Sequence, residues 1–273
     1  MTHAAETFRK LHEREGAFIL PNPWDVGSSR ILARMGFEAL ATTSAGFAFG
    51  LGKVEGTLSQ EAVLGHCREI VGATPLPVNA DLEKGFGDSP ESAFETIVEA
   101  AKTGLAGGSI EDHTGDRKNP IFEKCLAVER VKAACEARDS LGHDFVLTAR
   151  AENLLWGIHD IDDVITRLQA FEEAGADVLY APGLRDIETI KLVCEAVTKP
   201  VNVVMGLPGI ALGLEELEAA GVKRVSVGSA LFRAAFGALV RAGEEMAKKG
   251  TFSFSDDAIG FGDLEAFFRP PKN

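Results

Sequence analysis

Long apolar runs and an excess of positive charge are both missing from this sequence of 273 residues. No apolar stretch approaches the roughly 20 residues that a membrane-spanning helix needs. The chain has 28 lysines and arginines against 41 aspartates and glutamates, a formal net charge of −13. Nucleic acids and anionic membranes favour clustered Lys and Arg, so neither is expected as a partner. A small anionic substrate remains compatible, because a few local donors outweigh a distant charge that salt screens.

Cysteine is scarce as well, and its spacing excludes the usual metal and disulfide motifs. The sequence contains no CxxC pair and no Cys/His cluster, which predicts free thiols in a reducing compartment. The segment Met1–Gly16 is polar and charged where a secretory signal would be apolar. A cytoplasmic location is therefore expected. The cysteines are Cys67, Cys125, Cys135 and Cys194.

Short β-type runs alternate with amphipathic helical runs from one end of the chain to the other. Each β-type run is mostly apolar, as expected for parallel strands buried on both faces. Eight strands and eight helices in strict alternation favour a closed (βα)8 TIM-type barrel, an α/β fold, over an open sheet. The predicted strands are Ala17–Leu20, Ala39–Thr43, Pro77–Asp81, Gly108–Glu111, Phe145–Arg150, Val178–Ala181, Val201–Val204 and Arg224–Val227.

Two segments lie outside the eight predicted units. Ala4–Glu15 is predicted to be a helix that caps the bottom of the barrel. Residues 251–273 form a predicted C-terminal helical extension, which carries three phenylalanines within Asp256–Phe268. Leaving each of these rings in water would cost roughly 1.5–3 kcal/mol. They are therefore expected to pack on their own barrel or on a neighbouring subunit, and residues 1–273 are interpreted as one barrel domain.

Charged residues follow three neighbouring predicted strands, at the end of a barrel where function collects. The third strand ends at Asp81, the fourth at Glu111 and the fifth at Arg150. The two carboxylates suit Mg²⁺ or Mn²⁺, which prefer oxygen ligands. Arg150 suits a bidentate grip on a substrate carboxylate. The alternative is a buried salt-bridge network that only stabilises the barrel.

Two turns of small residues are candidates for binding an anion through backbone N–H groups. Ser44-Ala45-Gly46 follows the second strand, although an ordinary βα turn has the same composition. Gly228-Ser229 opens the helix after the eighth strand. It would serve as a phosphate cup in a barrel enzyme for a phosphorylated small metabolite. No lysine lies at a strand end, which disfavours Schiff-base chemistry.

Four segments together resemble the isocitrate lyase/phosphoenolpyruvate mutase superfamily. They read PNPWDVGSSRILARMGFEALATTSAG, NADLEKGFG, SIED and TARAE, and the resemblance runs from about Phe18 to Phe236. Its most specific elements are the D-A-D-x-G-[FY]-G-like segment, the I-E-D triplet and the arginine that ends strand five. The resemblance implies a barrel that acts on a 2-oxo acid or its enol form beside a Mg²⁺ ion, making or breaking a C–C or P–C bond.

The resemblance also implies roles for particular residues. The amides of Ser44, Ala45 and Gly46 would bind the oxo acid together with Arg150. Carboxylates of the third and fourth strands would hold the metal, some of them through water. The eighth helix would be exchanged between subunits of a homo-oligomer, a dimer or a tetramer, which would give the phenylalanine-rich extension a partner.

The chain departs from the family on the loop after strand four. Family lyases carry K-K-C-G-H there, whereas this loop reads HTGDRKNPIFE, and the first cysteine afterwards is Cys125. Cleavage of isocitrate by a cysteine acid is therefore not expected. Lys118-Asn119 is similar to a Lys-x-Asn region of phosphonate-handling members, with one residue fewer. The proton donor or water activator stays open among His113, Asn119 and Glu152.

The metal-binding segments depart from the family too. Asn79 is interpreted as the replacement for the first aspartate of D-A-D, with Glu83 as a compensating acid. An amide oxygen is a poorer Mg²⁺ ligand than a carboxylate. On the loop after strand two, Lys53 stands where an acid is expected, with Glu55 nearby. These changes keep a third interpretation open, a 2-oxo acid binder without catalytic activity.

The leading interpretation is a Mg²⁺- or Mn²⁺-dependent lyase, decarboxylase or hydrolase for a small 2-oxo acid. The predicted metal set is Asp81 and Glu111 with Asn79 and Glu83. The alternative is a barrel enzyme that acts on a phosphorylated small metabolite.

Overall fold

The computed structural model describes residues 2–269 and contains eight short parallel strands. Each strand lies within one or two residues of the position that the sequence predicts. All eight are largely buried, which explains why continuous apolar runs located them. The strands are β1 Phe18–Leu20, β2 Leu40–Ala41, β3 Val78–Asp81, β4 Gly107–Glu111, β5 Val146–Arg150, β6 Val178–Tyr180, β7 Val201–Val204 and β8 Arg224–Ser226.

The strands form a nearly closed barrel, which confirms the predicted (βα)8 TIM-type fold. Neighbours pair in parallel from β2 through β8, and β8 then pairs with β1. Between β1 and β2, the Ala41 amide donates to the Pro21 carbonyl at 3.0 Å. The carboxyl ends of all strands therefore open on one side, which is called the mouth below.

Helices follow every strand and surround the barrel. Helix α5 has Pro90 at its first position, and Ser89 caps it by accepting a hydrogen bond from the Ser92 amide. Ser59 caps α4 by accepting from the Ala62 amide. The helices are α1 Thr2–Glu13, α2 Val26–Arg34, α3 Ser44–Gly50, α4 Gln60–Ala73, α5 Pro90–Ala101, α6 Lys124–Asp139, α7 Ile161–Glu173, α8 Ile187–Glu195, α9 Leu214–Ala219, α10 Ala230–Lys249 and α11 Phe261–Phe268.

Helix α1 closes the barrel at the end opposite the mouth. Its Phe8 is fully buried and belongs to an apolar cluster with Phe18, Val146 and Val178, which are the first residues of β1, β5 and β6. The Phe8 and Phe18 rings meet edge to face, with centroids 6.5 Å apart. The predicted capping helix therefore forms, shifted by two residues toward the N-terminus.

The C-terminal part of the chain is poorly buried. Within α10 only Phe232 is buried, and Leu239 and Val240 are 61% and 57% exposed. Phe261, at the start of α11, is 81% exposed, although α11 contacts α2 of its own chain. Residues 270–273 of the predicted extension lie outside the described part. No helix among residues 2–269 is long and apolar enough to cross a membrane.

Candidate active site

Arg150 is the centre of the site, since it contacts carboxylates from three directions. Strand pairing places it opposite Glu111, and its Nη1 lies 2.8 Å from Glu111 Oε1. The same Nη1 lies 3.3 Å from Asp81 Oδ1, while Nε donates to Glu152 Oε1 at 2.8 Å. The guanidinium also stacks 4.8 Å above the Tyr180 ring. The three strand-end residues that the sequence singled out are thus brought together with Glu152.

Glu55 is the acid that sequence reasoning did not assign. Ser44 Oγ donates to Asp81 Oδ2 at 2.8 Å and lies 2.9 Å from Glu55 Oε1. The loop between α3 and α4 therefore brings Glu55 against the carboxylate of β3. Lys53, which stands two residues earlier, is exposed. In the sequence, the only indication of this role was that Glu55 follows two positions after Lys53. The path of the loop in the structure shows that Glu55, and not Lys53, reaches the site.

The amide cup predicted at Ser44–Gly46 is largely occupied by the chain itself. These residues begin α3, and Thr43 Oγ1 caps the helix by accepting from the Gly46 amide. The Ser44 amide donates to Asp81 Oδ2 at 3.2 Å. Gly46 is required because a Cβ would lie 2.6 Å from Thr43 Cγ2. Of the three predicted amides, that of Ala45 is left for a ligand.

Asn79 and Glu83 flank Asp81, and the structure separates their environments. Asn79 is one inward-facing position deeper in the barrel, buried, and its Oδ1 has no hydrogen-bond partner. Glu83 lies at the mouth with a φ of 51°, an uncommon conformation for a residue with a side chain. The segment Asp81–Gly87 matches the D-A-D-x-G-[FY]-G spacing, with acids at both acidic positions. The expectation that Asn79 replaces the first aspartate is therefore corrected to Asp81.

Arg130 fixes the loop that carries Glu83. It is 1% exposed, stacks on Phe122, and donates from Nη1 to the Gly87 and Ser89 carbonyls at 2.9 and 3.1 Å. Its Nη2 donates to the Lys84 carbonyl. Because Arg130 satisfies three carbonyls of one loop, it holds the acidic segment in a single conformation.

The loop after β4 brings one of its two candidate residues to the site. His113 stacks on Trp156 with ring centroids 4.4 Å apart and lines a depression shared with Glu111 and Glu152. Asn119 is exposed, and its amide nitrogen lies 3.5 Å from Asp116 Oδ2. The structure therefore does not place Asn119 with the other candidates. No cysteine lines either of the two cavities to which Arg150 contributes, and Cys125 is exposed at the start of α6.

Burial and mutual repulsion raise the pKa of three glutamates at the mouth. The pKa of Glu83 is raised to about 7 by burial and by the charges of Asp81 and Glu55. The pKa of Glu152 is raised to about 7, mainly by burial. Burial also raises the pKa of Glu111 well above its ordinary value. Five acids surround one arginine, so the site favours either protons or a further cation.

This raised proton affinity predicts a pH-dependent stability. A raised folded-state pKa contributes stability below the unfolded value of about 4.3, and that contribution is lost as pH rises through about 7. A Glu83→Gln variant should therefore gain about 2–3 kcal/mol relative to the wild type between pH 5 and pH 8. Urea unfolding with a chelator present measures the difference. A Glu129→Gln variant, changed at an exposed acid of α6, should show no such pH dependence. If the difference in unfolding free energy between Glu83→Gln and the wild type does not change with pH, the raised pKa of Glu83 is contradicted.

A cavity of about 250 Å³ continues from the mouth into the barrel. Arg150 and Ala45 line its upper part, and Asn202, Arg224 and Asn79 line its deeper part. Barrel interiors are usually filled by branched aliphatic side chains. Small and polar inward-facing residues leave this one partly open.

The phosphate cup predicted at Gly228-Ser229 is not available as a pair of free amides. Asn22 Oδ1 accepts from the Val227 amide at 2.9 Å and from the Gly228 amide at 3.0 Å. Its Nδ2 donates to the Thr42 carbonyl. Asn22 thus occupies the Gly228 amide of the predicted cup, whereas Ser229 lines the cavity that opens at the mouth.

The acids of the mouth fit a hard divalent cation by their chemistry. The side chains of Glu55, Asp81, Glu83 and Glu111 offer only oxygen atoms as metal ligands. A positive ion would offset the repulsion between these carboxylates. In the described part of the chain, no three His, Cys, Asp or Glu side chains converge on one metal-binding point. A cation held by one or two of these carboxylates would take its remaining ligands from water.

Comparison with known proteins gives consistent results. The model of the family described as phosphoenolpyruvate phosphomutase matches residues 8–247, a range that includes all eight strands. A solved structure from Burkholderia cenocepacia J2315, assigned provisionally as a lyase/mutase, is 54% identical, covers 99% of this chain and 98% of its own, and has a TM-score of 0.97. The 2,3-dimethylmalate lyase of Eubacterium barkeri is 29% identical over 229 residues, 80% of this chain and 78% of that protein. An oxaloacetate decarboxylase of Pseudomonas putida (strain GB-1) is 27% identical over 242 residues, 84% of this chain and 79% of that protein.

Proposed function

Because the chain belongs to the phosphoenolpyruvate phosphomutase family and is an enzyme of that type, we propose that it makes or breaks a carbon–carbon bond of a small 2-oxo acid, through an enolate and with Mg²⁺ or Mn²⁺. The observation that carries this proposal is Arg150, held among Asp81, Glu111 and Glu152 at the mouth. Relatives named as a lyase and a decarboxylase favour C–C over P–C chemistry.

Arg150 is suited to bind the substrate's carboxylate. Nε and Nη1 contact carboxylates of the chain, while Nη2 has no partner among residues 2–269. A carboxylate at Nη2 would be bound by a charge-assisted hydrogen bond in a poorly solvated site. The three acids prevent the guanidinium from rotating, so the substrate meets a preoriented donor.

Glu152 is suited to transfer the proton. Its Oε1 accepts from Arg150 Nε, which leaves Oε2 to carry a proton toward the reacting carbon. A pKa of about 7 lets this acid gain and lose a proton near neutral pH. Asp112 positions Glu152, because its Oδ1 accepts a hydrogen bond from the Glu152 backbone amide at 2.8 Å. Arg167 Nη1 in turn donates to Asp112 Oδ2 at 3.1 Å. Burial lowers the pKa of His113, which lines the same depression as Glu152.

Asp81, Glu83 and Glu111 would hold the divalent cation, directly or through water. When bound, the cation supplies Lewis-acid stabilisation of negative charge that develops on the substrate's oxygen. Asp81 is already oriented by Ser44 and Arg150, so little rearrangement of that carboxylate is needed.

A Glu111→Gln variant should bind Mg²⁺ or Mn²⁺ at least tenfold more weakly, about 1.4 kcal/mol, because an anionic ligand becomes neutral. The amide can still accept from Arg150, so the fold should persist. Calorimetric titration with each metal measures the change. Glu129→Gln is the matched control on the surface of α6. Equal affinities for the wild type and Glu111→Gln would remove Glu111 from the metal site.

Turnover against a panel of 2-oxo acids tests the proposed function itself. The panel should contain oxaloacetate, 2-oxoglutarate, pyruvate and phosphonopyruvate, each with Mg²⁺, Mn²⁺ or a chelator. Cleavage or decarboxylation of a 2-oxo acid that the chelator abolishes is the expected result. Rapid turnover of phosphonopyruvate alone would move the assignment to P–C chemistry. Tight binding with no turnover of any member would identify the non-catalytic binder.

We also propose that the enzyme is a homo-oligomer, a dimer or a tetramer, in which α10 is exchanged between subunits. Ile19 of β1 is 36% exposed on the outer face of the barrel. The helix after β8 would normally cover this face, yet α10 buries only Phe232. A second copy of the chain would supply the missing apolar partner, because exchange of α10 covers the same apolar face in both subunits.

A further inference from the structure

Arg224 lies inside the barrel as a buried cation without a counter-ion. It is 2% exposed, and no carboxylate of residues 2–269 forms an ion pair with it. Its Nε donates to Asn202 Oδ1 at 2.9 Å and its Nη2 to Thr148 Oγ1 at 2.9 Å, and both acceptors are neutral. A charge removed from water is costly unless it is paired.

The third partner of Arg224 is neutral too. His12 Nε2 lies 3.1 Å from Arg224 Nη1, and His12 Nδ1 lies 2.8 Å from the Phe8 carbonyl. Both contacts are satisfied by one neutral tautomer, with the proton on Nδ1 and the lone pair facing the arginine. Burial and the charge of Arg224 lower the pKa of His12 to about 3, which keeps the ring neutral. Arg224 therefore carries a full uncompensated positive charge at neutral pH.

The same cavity connects this charge with the mouth. Arg224 and Arg150 both line it, and Arg224 binds Thr148, two residues before Arg150 on β5. Two residues of a strand span about 6.6 Å. This backbone rise between Thr148 and Arg150 is similar in length to a small dicarboxylic acid. Asn79 lines the deeper part of the same cavity.

We propose that this interior cavity is a second anion subsite, in which Arg224 receives the distal carboxylate of a four- or five-carbon 2-oxo dicarboxylate. The inference rests on the proposed function for the 2-oxo end of the ligand, which stays at Arg150 and the mouth acids. A cavity that held only water would leave the Arg224 charge without an anion. An entering dicarboxylate supplies that anion, so the subsite selects dianionic over monoanionic substrates.

Equilibrium binding of two matched probes tests the subsite. The probes are 2-oxoglutarate and 2-oxopentanoate, which have the same chain length and differ in the distal carboxylate. The wild type with Mg²⁺ should bind 2-oxoglutarate at least tenfold more tightly. Arg224→Met should bring this ratio close to one, and so should Asn202→Asp, which places a competing carboxylate beside Arg224 and leaves the arginine in place. Thr148→Val keeps the charge and should retain most of the ratio.

Stability measurements separate the subsite from a structural role. Without ligand, Arg224→Met should melt at the wild-type temperature or above, because it removes an unpaired buried charge. A lower melting temperature in Arg224→Met with an unchanged ratio in Asn202→Asp would overturn the proposal. A wild-type ratio of one, with turnover of a 2-oxo acid, would overturn the subsite and leave the proposed function standing. An Arg224-dependent ratio without turnover of any 2-oxo acid would support the subsite and contradict the proposed function.

Discussion

Replacing Arg150 with lysine should lower kcat/KM by roughly 30- to 1000-fold, about 2–4 kcal/mol. Lysine keeps the positive charge and loses the planar fork, so it cannot contact Glu111, Glu152 and a substrate carboxylate at once. Arg150 also holds Asp81 and Glu152 in place, so the loss should fall on kcat as well as on KM. Metal affinity should change little, because the acids remain.

Arg138→Lys is the matched control for this experiment. Arg138 is similarly buried, with 13% of its side chain exposed against 11% for Arg150, and it contacts two carboxylates away from the mouth cavities. It should lose stability without losing specific activity. Melting temperature and kcat/KM must be measured on the same preparations. If Arg150→Lys melts much lower but keeps its specific rate, Arg150 belongs to a salt-bridge network that only stabilises the barrel.

Deleting Asp256–Asn273 should change the assembly size or render the chain insoluble. The deletion removes α11, which contacts α2, and uncovers apolar surface on the barrel and along α10. Phe254 and Met246 are already partly exposed and would lose neighbours in the proposed oligomer. Size-exclusion chromatography with light scattering measures the assembly, and thermal melting measures the stability.

A chain that lacks only residues 270–273 is the control for the deletion, since it keeps α11. A point variant, Val240→Glu, tests the exchanged helix separately, because it places a charge on the exposed face of α10 and leaves the extension intact. Both Val240→Glu and the long deletion should reduce the assembly. If the long deletion keeps its assembly size and melting temperature, the C-terminal segment takes no part in the oligomer.

The sequence was sufficient for the barrel and for part of the mouth. Strands buried on both faces are continuous apolar runs, and parallel strands open their carboxyl ends on one side. Asp81, Glu111 and Arg150 could therefore be placed together without coordinates. Glu152 followed from Arg150, because it lies on the same strand end.

The rest depended on contacts between distant parts of the chain. Asn22 accepts hydrogen bonds from the Val227 and Gly228 amides, which lie 205 and 206 residues later in the sequence, and no local sequence pattern predicts these contacts. Glu55 belongs to the site through the path of one loop. Arg224 looks like the polar first residue of a strand, and its inward direction is fixed by pairing with β7 and β1. Each of these depends on tertiary packing that a linear pattern does not specify.

The floor formed by α1 has a consequence for the kinetics of the enzyme. Because Phe8 and its apolar neighbours close the end opposite the mouth, we expect ligands to enter and leave the interior cavity through the mouth. A product that occupies the cavity must leave by the path on which the next substrate arrives. We therefore expect any product that keeps a carboxylate to inhibit competitively against the substrate, and the departure of that product to limit turnover once the chemical step is fast.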